Sequence, residues 1–469
     1  MTAPAPLEAA RAALAGQEAW LVGGAVRDRL LGRRTDDVDV ALAGDPRAAA
    51  RDIARATGGA HFRLSGAFGA WRVVDAAHRW HVDLVPLRDG DIRADLAGRD
   101  FTVNAMAEPL EGGETLDPYG GREDLAARRL RMVSASALAD DPLRALRAVR
   151  LAVELGLAVE PATAAAVAAN APAIDRVAPE RVYGELKRVV GAERPRDALE
   201  LMARLGVEAA VLPEVAALHG VEQNVFHHAD VYGHTVEVLE AVAGLERDPA
   251  AAGLGAVAAE VQALLAEPLA DELTRGGAMR LAALLHDAAK PLTRGTRPDG
   301  RVTFVGHDSL GAELARDVLR RLRSSQKVAE YVAALTRHHL RLGFLVHERP
   351  LGRRAAWRYL RATAPYAADV TIFTVADRLA TRGRNAEPAI AAHLELATEM
   401  LALAFEERAA GPQAPLVRGD ELARELGMRP GRRLGELIAA LEEDRYAGEL
   451  ATREDALKRA RELLAERTR

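Results

Sequence analysis

The sequence predicts an α+β protein: a small mixed-sheet head followed by an all-α neck, body and tail. Three observations predict it. Residues 17 to about 130 carry short apolar runs of strand length separated by turn residues. From about 131 almost to the end, apolar residues recur at helical spacing, as over 141–155, 161–170, 180–190 and 196–205. Aromatic residues make up only 4% of the 469 residues, so Ala, Leu and Val must supply the core, which favours helices. The expected division is a head over 1–130, a neck over 131–220, a body with its own site over 221–405 and a tail over 406–469. The stretches 248–255 and 409–415, rich in small residues, read as flexible linkers. The chain has no cysteine, which excludes a disulfide framework and a thiolate metal site. No secretory segment or spanning apolar run is read, so a soluble cytoplasmic protein without membrane contact is expected. The net charge of −5 excludes a uniformly basic surface; any RNA contact must come from local clusters.

The head begins with Leu-Val-Gly-Gly-Ala-Val-Arg-Asp and continues to Thr-Asp-Asp-Val-Asp-Val, residues 21–40. On a strand, Asp37 and Asp39 project from one face while Val38 and Val40 enter the core. Two neighbouring carboxylates repel unless a cation lies between them, and a hard, oxygen-seeking ion such as Mg2+ suits them beside a triphosphate. Gly23 and Gly24 lack a Cβ and admit close backbone approach to phosphate. Together with Arg27 on the following helix, this order reads as a nucleotidyl-transfer palm. Trp71–Asp75 and Trp80–Val85 form an expected hairpin, and Asp83 within it is the candidate third carboxylate. A charge among Val82, Leu84 and Val85 is costly unless paired or bound to metal. His81 shares its face.

Further along, Gly98-Arg-Asp-Phe-Thr-Val-Asn-Ala-Met-Ala places Arg99, Asp100 and Asn104 within one turn of each other. Arginine offers a fork of donors to phosphate or ribose oxygens, and Asp100 also suits a helix cap. Asp140-Asp-Pro-Leu-Arg-Ala-Leu-Arg then opens a helix with Pro142 at its start. Asp141 and Arg144, three apart, share a face. They offer an acceptor and donors to the edge of a base, although a cap with an ion pair would use the same residues.

These segments, in this order and with Glu180-Arg-Val-Tyr-Gly-Glu-Leu after them, resemble the class II tRNA nucleotidyltransferase and bacterial poly(A) polymerase family, the CCA-adding enzymes and their relatives. The resemblance implies a nucleotidyltransferase head, an RNA- and nucleotide-binding neck, a body and a tail. It implies Mg2+ on Asp37 and Asp39, with Asp83 beside them. It places the triphosphate at Gly23, Gly24 and Arg27 and the ribose end at Arg99, Asp100 and Asn104. Asp141 and Arg144 would be an amino-acid template for CTP and ATP, with Arg147, Arg150, Glu180 and Arg181 in the same pocket and a neck helix from 180 supporting it. The partner implied is tRNA. Asp140 stands where the family usually has Glu. The interval between Asp83 and Arg99 is shorter than the family's flexible loop, which is associated with the switch from C to A addition. Addition of CC alone is therefore a second expectation, with A addition and poly(A) addition as alternatives.

Within the helical part, His234, His286-Asp287 and Asp377 resemble the HD phosphohydrolase superfamily. Burying an adjacent imidazole and carboxylate is costly, and a divalent transition metal satisfies both. His307 and His338 are candidates for a second ion. His227 and His228 precede the set. Basic faces at 187–188, 353–358 and 429–433 are candidate RNA contacts, and 428–438 resembles the family's tail. The reading from another class is an HD phosphohydrolase whose head only binds RNA; the intact Asp37/Asp39 pair argues against it.

Overall fold

The structure, a computed structural model, describes residues 6–33, 36–65, 69–223, 228–383, 386–411 and 413–466. The chain divides into two compact units, residues 1–192 with 200–211 and residues 193–199 with 212–469.

The first unit is built on a six-stranded mixed sheet. Its strands are β1 (Ala19–Val22), β2 (Asp37–Leu42), β3 (Ala60–Ser65), β4 (Ala70–Val74), β5 (His81–Pro86) and β6 (Ala107–Pro109), in the spatial order β3-β4-β5-β2-β1-β6. β2 and β5 run parallel and the other pairs antiparallel. The expected hairpin is β4–β5. The alternation of β2 is realised: Val38 and Val40 are buried, as are Val82 and Leu84 on β5. Helix α1 (Pro6–Ala13) precedes β1, α2 (Gly24–Leu30) follows β1 and α3 (Pro46–Thr57) follows β2. α3 starts on Asp45, whose side chain accepts from the Arg47 amide, and buries Ala49, Ala50, Ile53 and Ala54. That small-residue stripe lets it pack closely on β3, β4 and β5.

After β5 the chain makes one 3₁₀ turn (Arg88–Gly90) and a short helix, α4 (Ile92–Ala97), capped by the Asp91 side chain. The interval after Asp83 is therefore folded structure. α5 (Gly121–Ala126), α6 (Ala137–Asp140), α7 (Leu143–Leu155), α8 (Pro161–Asn170) and α9 (Pro179–Val190) complete the helical neck of this unit. α7 and α9 pack together, burying Leu146, Val149, Leu186 and Val190.

Among the described residues, the second unit's regular structure is helical apart from two short hairpins, 268–274 and 294–304. Its core joins the helices Val231–Arg247, Arg275–Leu285, His307–Arg321, Gln326–His338 and Ala367–Ala380. A separate small core in the tail gathers Leu422, Leu434, Leu437, Leu441 and Leu457. The expected linker at 248–255 is corrected: Ala250–Leu254 forms a π-turn and Gly255–Val257 a 3₁₀ turn, with Leu254 fully buried. Asp248 supports it by accepting from the Ala251 amide. The helix Ala386–Ala410 has the length and composition to cross a membrane. Here its buried stripe of Ile390, Leu396, Ala397, Met400 and Leu401 packs along Ala367–Ala380, as a core helix does.

Candidate active site and metal centre

In the first unit, strand register brings four polar side chains onto one sheet face. Asp37 lies opposite His81 and Asp39 opposite Asp83 across the parallel β2–β5 pair. His81 Nδ1 sits 2.9 Å from Asp37 Oδ1, and this contact holds the Asp37 carboxyl below its usual range. Asp39 behaves oppositely. Burial pushes its pKa up, and repulsion from Asp83 and Asp37 adds to that against the pull of Arg99. A carboxylate pair this reluctant to hold both charges, with an all-oxygen donor set, fits a hard divalent cation.

Asp83 departs from the expectation. Arg72, directly opposite on β4, donates Nε to one oxygen and Nη2 to the other, both at 2.7 Å. The arginine offsets the charge that a metal was expected to offset, so Asp83 is not a free third ligand. It packs beside Asp39 and adds negative charge there.

Gly23 caps α2 with φ +67°, a conformation that favours glycine. A Cβ there would lie 2.6 Å from Arg99 Nη1 and 3.5 Å from Asp39 Oδ2. The glycine is what allows backbone, arginine and carboxylate to meet. The rest of the cleft, about 880 Å³, is lined by Gly24, Arg27, Arg99, Asp100, Asn104, Asp141, Arg144, Arg147, Arg150 and Arg181, together with Arg88, Glu185 and Arg188. Glu180 does not line it; it is exposed in the first turn of α9.

Several expected ligand-binding groups are tied to one another. Arg27 donates Nε and Nη2 to Asp28 and Nη1 to Asn104 Oδ1 at 2.6 Å. Asn104 donates to Asp100, and Asp100 accepts both Nε and Nη2 of Arg147. Arg147 reaches Glu185 on α9, which also accepts Arg150 Nε. This chain joins α2 and the 100–104 segment to α7 and α9. It makes Arg147 and Arg150 supports of the pocket, not free phosphate donors. Burial works to raise the Asp100 pKa, but Arg147, Asn104 and the Phe101 amide hold it well below the carboxylate range. Asp100→Asn is expected to destabilise the protein by about 2 kcal/mol at pH 7. Because the folded pKa is depressed, that difference is present above about pH 4 and shrinks as pH falls through the lower folded value. Thermal melts of both proteins across pH 7 to 3 check it.

Asp141 accepts from Arg181 Nη2 at 2.7 Å and from the Leu143 amide. Arg144 donates to the Gly98, Arg99 and Ala137 carbonyl oxygens. The two do not pair with each other, and both line the cleft.

In the second unit, His234, His286 and Asp377 form one group with donor atoms within 4.8 Å of one another, and Asp287, His307 and His339 form another. The histidine added by the structure is His339. His338, the residue expected, is half-buried and off the cluster. Three imidazoles present Nδ1 to backbone carbonyls: His286 to Ala283 at 2.9 Å, His307 to Phe304 and His339 to Thr336 at 2.6 Å. In the neutral ring, the form that binds metal, Nε2 of each is then a lone pair turned inward, the arrangement of metal-binding histidines. The His307 and His339 Nε2 atoms face each other at 3.3 Å. Burial and the nearby His286 charge push His339 down to about 4, so it is neutral near pH 7 and its Nε2 carries no proton to donate. Asp287 lies between the groups, Oδ2 3.2 Å from His286 and Oδ1 3.4 Å from His307. Burial opposes its ionisation, but His286 and Lys290 hold it far below the usual range. Facing lone pairs around a buried carboxylate fit divalent cations with N/O preference.

Lys290 was not anticipated. It is buried, its Nζ is 2.7 Å from Asp287 and it donates to Gln223 at 2.6 Å. His227 lies outside the described residues, and His228 is a surface residue 2.8 Å from Glu237.

Three family models match the chain. Residues 19–131 match the "Poly A polymerase head domain", 156–218 the "Probable RNA and SrmB- binding site of polymerase A" and 231–382 the "HD domain". The chain is 38% identical to an A-adding tRNA nucleotidyltransferase of Deinococcus radiodurans, covering 93% of this chain and 94% of the relative. The chain belongs to the tRNA nucleotidyltransferase family. A CC-adding member from Thermus thermophilus is 35% identical over 94% of this chain and 92% of its own. A solved CCA-adding enzyme in its apo form shares the fold, with TM-score 0.62 at 19% identity, covering 98% of this chain and 93% of that one.

Within this tRNA nucleotidyltransferase, two of the expected basic faces are largely spent on internal pairs. Arg354 and Arg358 pair with Glu443, and Arg354 also with Asp444 and Glu449. Arg353 lies over the Tyr446 ring and Arg188 pairs with Glu154. Arg432 pairs with Glu436, while Arg429 and Arg433 are exposed.

Proposed function

We propose that the chain adds C or A residues from CTP or ATP to the 3′ end of tRNA without a nucleic-acid template, in the cytoplasm. The observation that carries this is the Asp37/Asp39 pair facing a cleft edged by Gly23 and Arg99, in a chain that aligns along its length with relatives named for such additions. Mg2+ held by Asp37 and Asp39 would lower the pKa of the attacking 3′-hydroxyl and offset charge on the departing pyrophosphate. The chain's own residues position the reactants, which is most of what phosphoryl transfer asks of a protein. Gly23 lets Arg99 Nη1 come against the backbone as a donor for phosphate, while Asp95 holds Arg99 Nε and Nη2. Asp141 and Arg144 offer acceptor and donors to the base edge. The Asp100–Arg147–Glu185 chain ties α7 and α9 to the segment at 100–104 that lines the cleft.

The product we infer is a partial terminus, CC or A, not the complete CCA. The short, folded interval 84–98 supports this, as do the names of the two relatives. The decisive assay uses tRNA lacking its 3′ end and tRNA ending in CC, with CTP and ATP separately and together. One nucleotide is expected to be incorporated and the other not. Complete CCA from the mixture would contradict the restricted product, and no extension at all would contradict the function.

At the second site we propose a metal-dependent phosphohydrolase acting on phosphomonoesters or phosphodiesters. His234, His286, Asp377, Asp287, His307 and His339 would hold the ions, which would supply Lewis-acid activation of a water. The domain limits 1–130, 131–220, 221–405 and 406–469 are retained as the proposed division of labour.

A further inference from the structure

We propose that Phe62, at the edge of the head sheet, is a stacking surface for the bases just before the reacting end of the RNA, which crosses the open half of that sheet. The inference rests on the transferase reading above and adds a binding surface to it.

Strand register places the ring. Phe62 lies opposite Arg72, Arg72 opposite Asp83 and Asp83 opposite Asp39, so the four stand in one row across β3, β4, β5 and β2. Directly paired residues project to the same side of a sheet, so Phe62 shares the face of the acidic pair. A second row, Ala60, Val74, His81 and Asp37, runs beside the first. Between the two rows, Val73, Val82 and Val38 turn to the opposite face, where all three are buried. With about 4.8 Å between strands, Phe62 stands roughly 14 Å from Asp39 along the row.

The two halves of this face differ. Toward β1 it is covered: Ala41, two residues after Asp39, packs in one cluster with Leu87, Ile92 and Leu96. Toward β3, the edge strand, it is open: Phe62 is 47% exposed and Leu64, two residues on, 44%. Large apolar side chains left in water on an edge strand invite unwanted pairing, and such patches mark interaction sites.

Charge along the row indicates the partner. An RNA strand meeting three adjacent carboxylates would be repelled. The proposed Mg2+ offsets Asp37 and Asp39, and Arg72 offsets Asp83 by donating to both of its oxygens at 2.7 Å. The pairing that removes Asp83 from the metal thus leaves the ground beyond the ion neutral. A single strand whose 3′-hydroxyl sits at the ion needs, further back, a path without excess negative charge for its phosphates and a flat apolar face for its bases. Arg72 with Asp83 supplies the first and Phe62 the second. Unpaired bases stack on aromatic rings whatever their identity, because every base has a π-face.

The test compares wild type with Phe62→Ala and Phe62→Trp on tRNA lacking its 3′ end. KM for the tRNA and KM for CTP or ATP are measured separately. RNA carrying 2-aminopurine at successive positions near its 3′ end reports stacking by fluorescence quenching. Phe62→Ala is expected to raise KM for the tRNA at least about fivefold, which corresponds to about 1 kcal/mol, the low end for one base on one ring. KM for the nucleotide is expected to stay within about twofold of wild type. Quenching at one probe position is expected to be lost in Phe62→Ala and kept in Phe62→Trp, which is also expected to restore the tRNA KM. Unchanged tRNA KM and quenching in Phe62→Ala would overturn the proposal. Equal losses for tRNA and nucleotide, without rescue by tryptophan, would also overturn it, since the substitution would then disturb the carboxylate row. Altered sedimentation of Phe62→Ala with an unchanged tRNA KM would overturn it and make this edge a contact between copies of the chain. Those outcomes, with an active wild type, strike this inference alone; a wild type that extends no tRNA would overturn the transferase reading and this inference with it.

Discussion

Asp39→Asn is expected to lower nucleotide incorporation at least about a thousandfold while leaving phosphatase activity at the second site intact. The substitution keeps shape and removes charge. Divalent-ion stabilisation of a phosphoryl-transfer transition state is worth several kcal/mol, and about 4 kcal/mol is a thousandfold in rate. Asp39 is the more telling of the pair because burial and its acidic neighbours raise its pKa. It must lose its proton to bind an ion. Mg2+ affinity is thus expected to weaken as pH falls through a value above the ordinary carboxylate range, and this component is expected to vanish in Asp39→Asn. Incorporation measured against Mg2+ concentration at several pH values checks both effects. A variant retaining a tenth of wild-type activity would contradict the role given to this carboxylate.

The second large effect concerns metal content. Wild type is expected to retain two divalent ions per chain, Asp287→Asn none, and His339→Ala one. His338→Ala is expected to retain both. Asp287 faces His286 with one oxygen and His307 with the other, so its loss reaches both groups. Elemental analysis after dialysis reads the stoichiometry directly. Thermal melts give a second reading, since an ion at a hundredfold excess over its Kd stabilises the fold by about 2.7 kcal/mol, a gain that Asp287→Asn is expected to lack. Loss of metal in His338→Ala and not in His339→Ala would contradict the assignment.

That histidine shows how much was legible. On the helix Gln326–His338 the buried positions are Val328, Tyr331, Val332, Leu335 and Thr336, and the same spacing leads to His339. Helical phase alone would have chosen it over its neighbour. The two-residue period of β2 was enough to put Asp37 and Asp39 on one face, because strand geometry leaves no alternative. The hairpin carrying Arg72 and Asp83 was expected, but its register is set by the connection between the two strands, so the facing of Asp83 by Arg72 was not read. Nor was the link from Asp100 to Glu185, whose partners lie 47 and 38 residues from each other along the chain. The small-residue stretch at 248–255 was misread because composition does not reveal that Leu254 finds a buried site. Lys290 had a signal, three residues after Asp287 across a single turn, where its ammonium reaches the carboxylate.

Anomalous scattering from Mn2+ in crystals grown with a non-reactive CTP or ATP analogue tests the central claim most directly. The account predicts an ion coordinated by one oxygen each of Asp37 and Asp39 and by phosphate oxygens, at about 2.0–2.2 Å as for small hard cations. Nucleotide bound with both carboxylates turned away and no anomalous peak between them would contradict it.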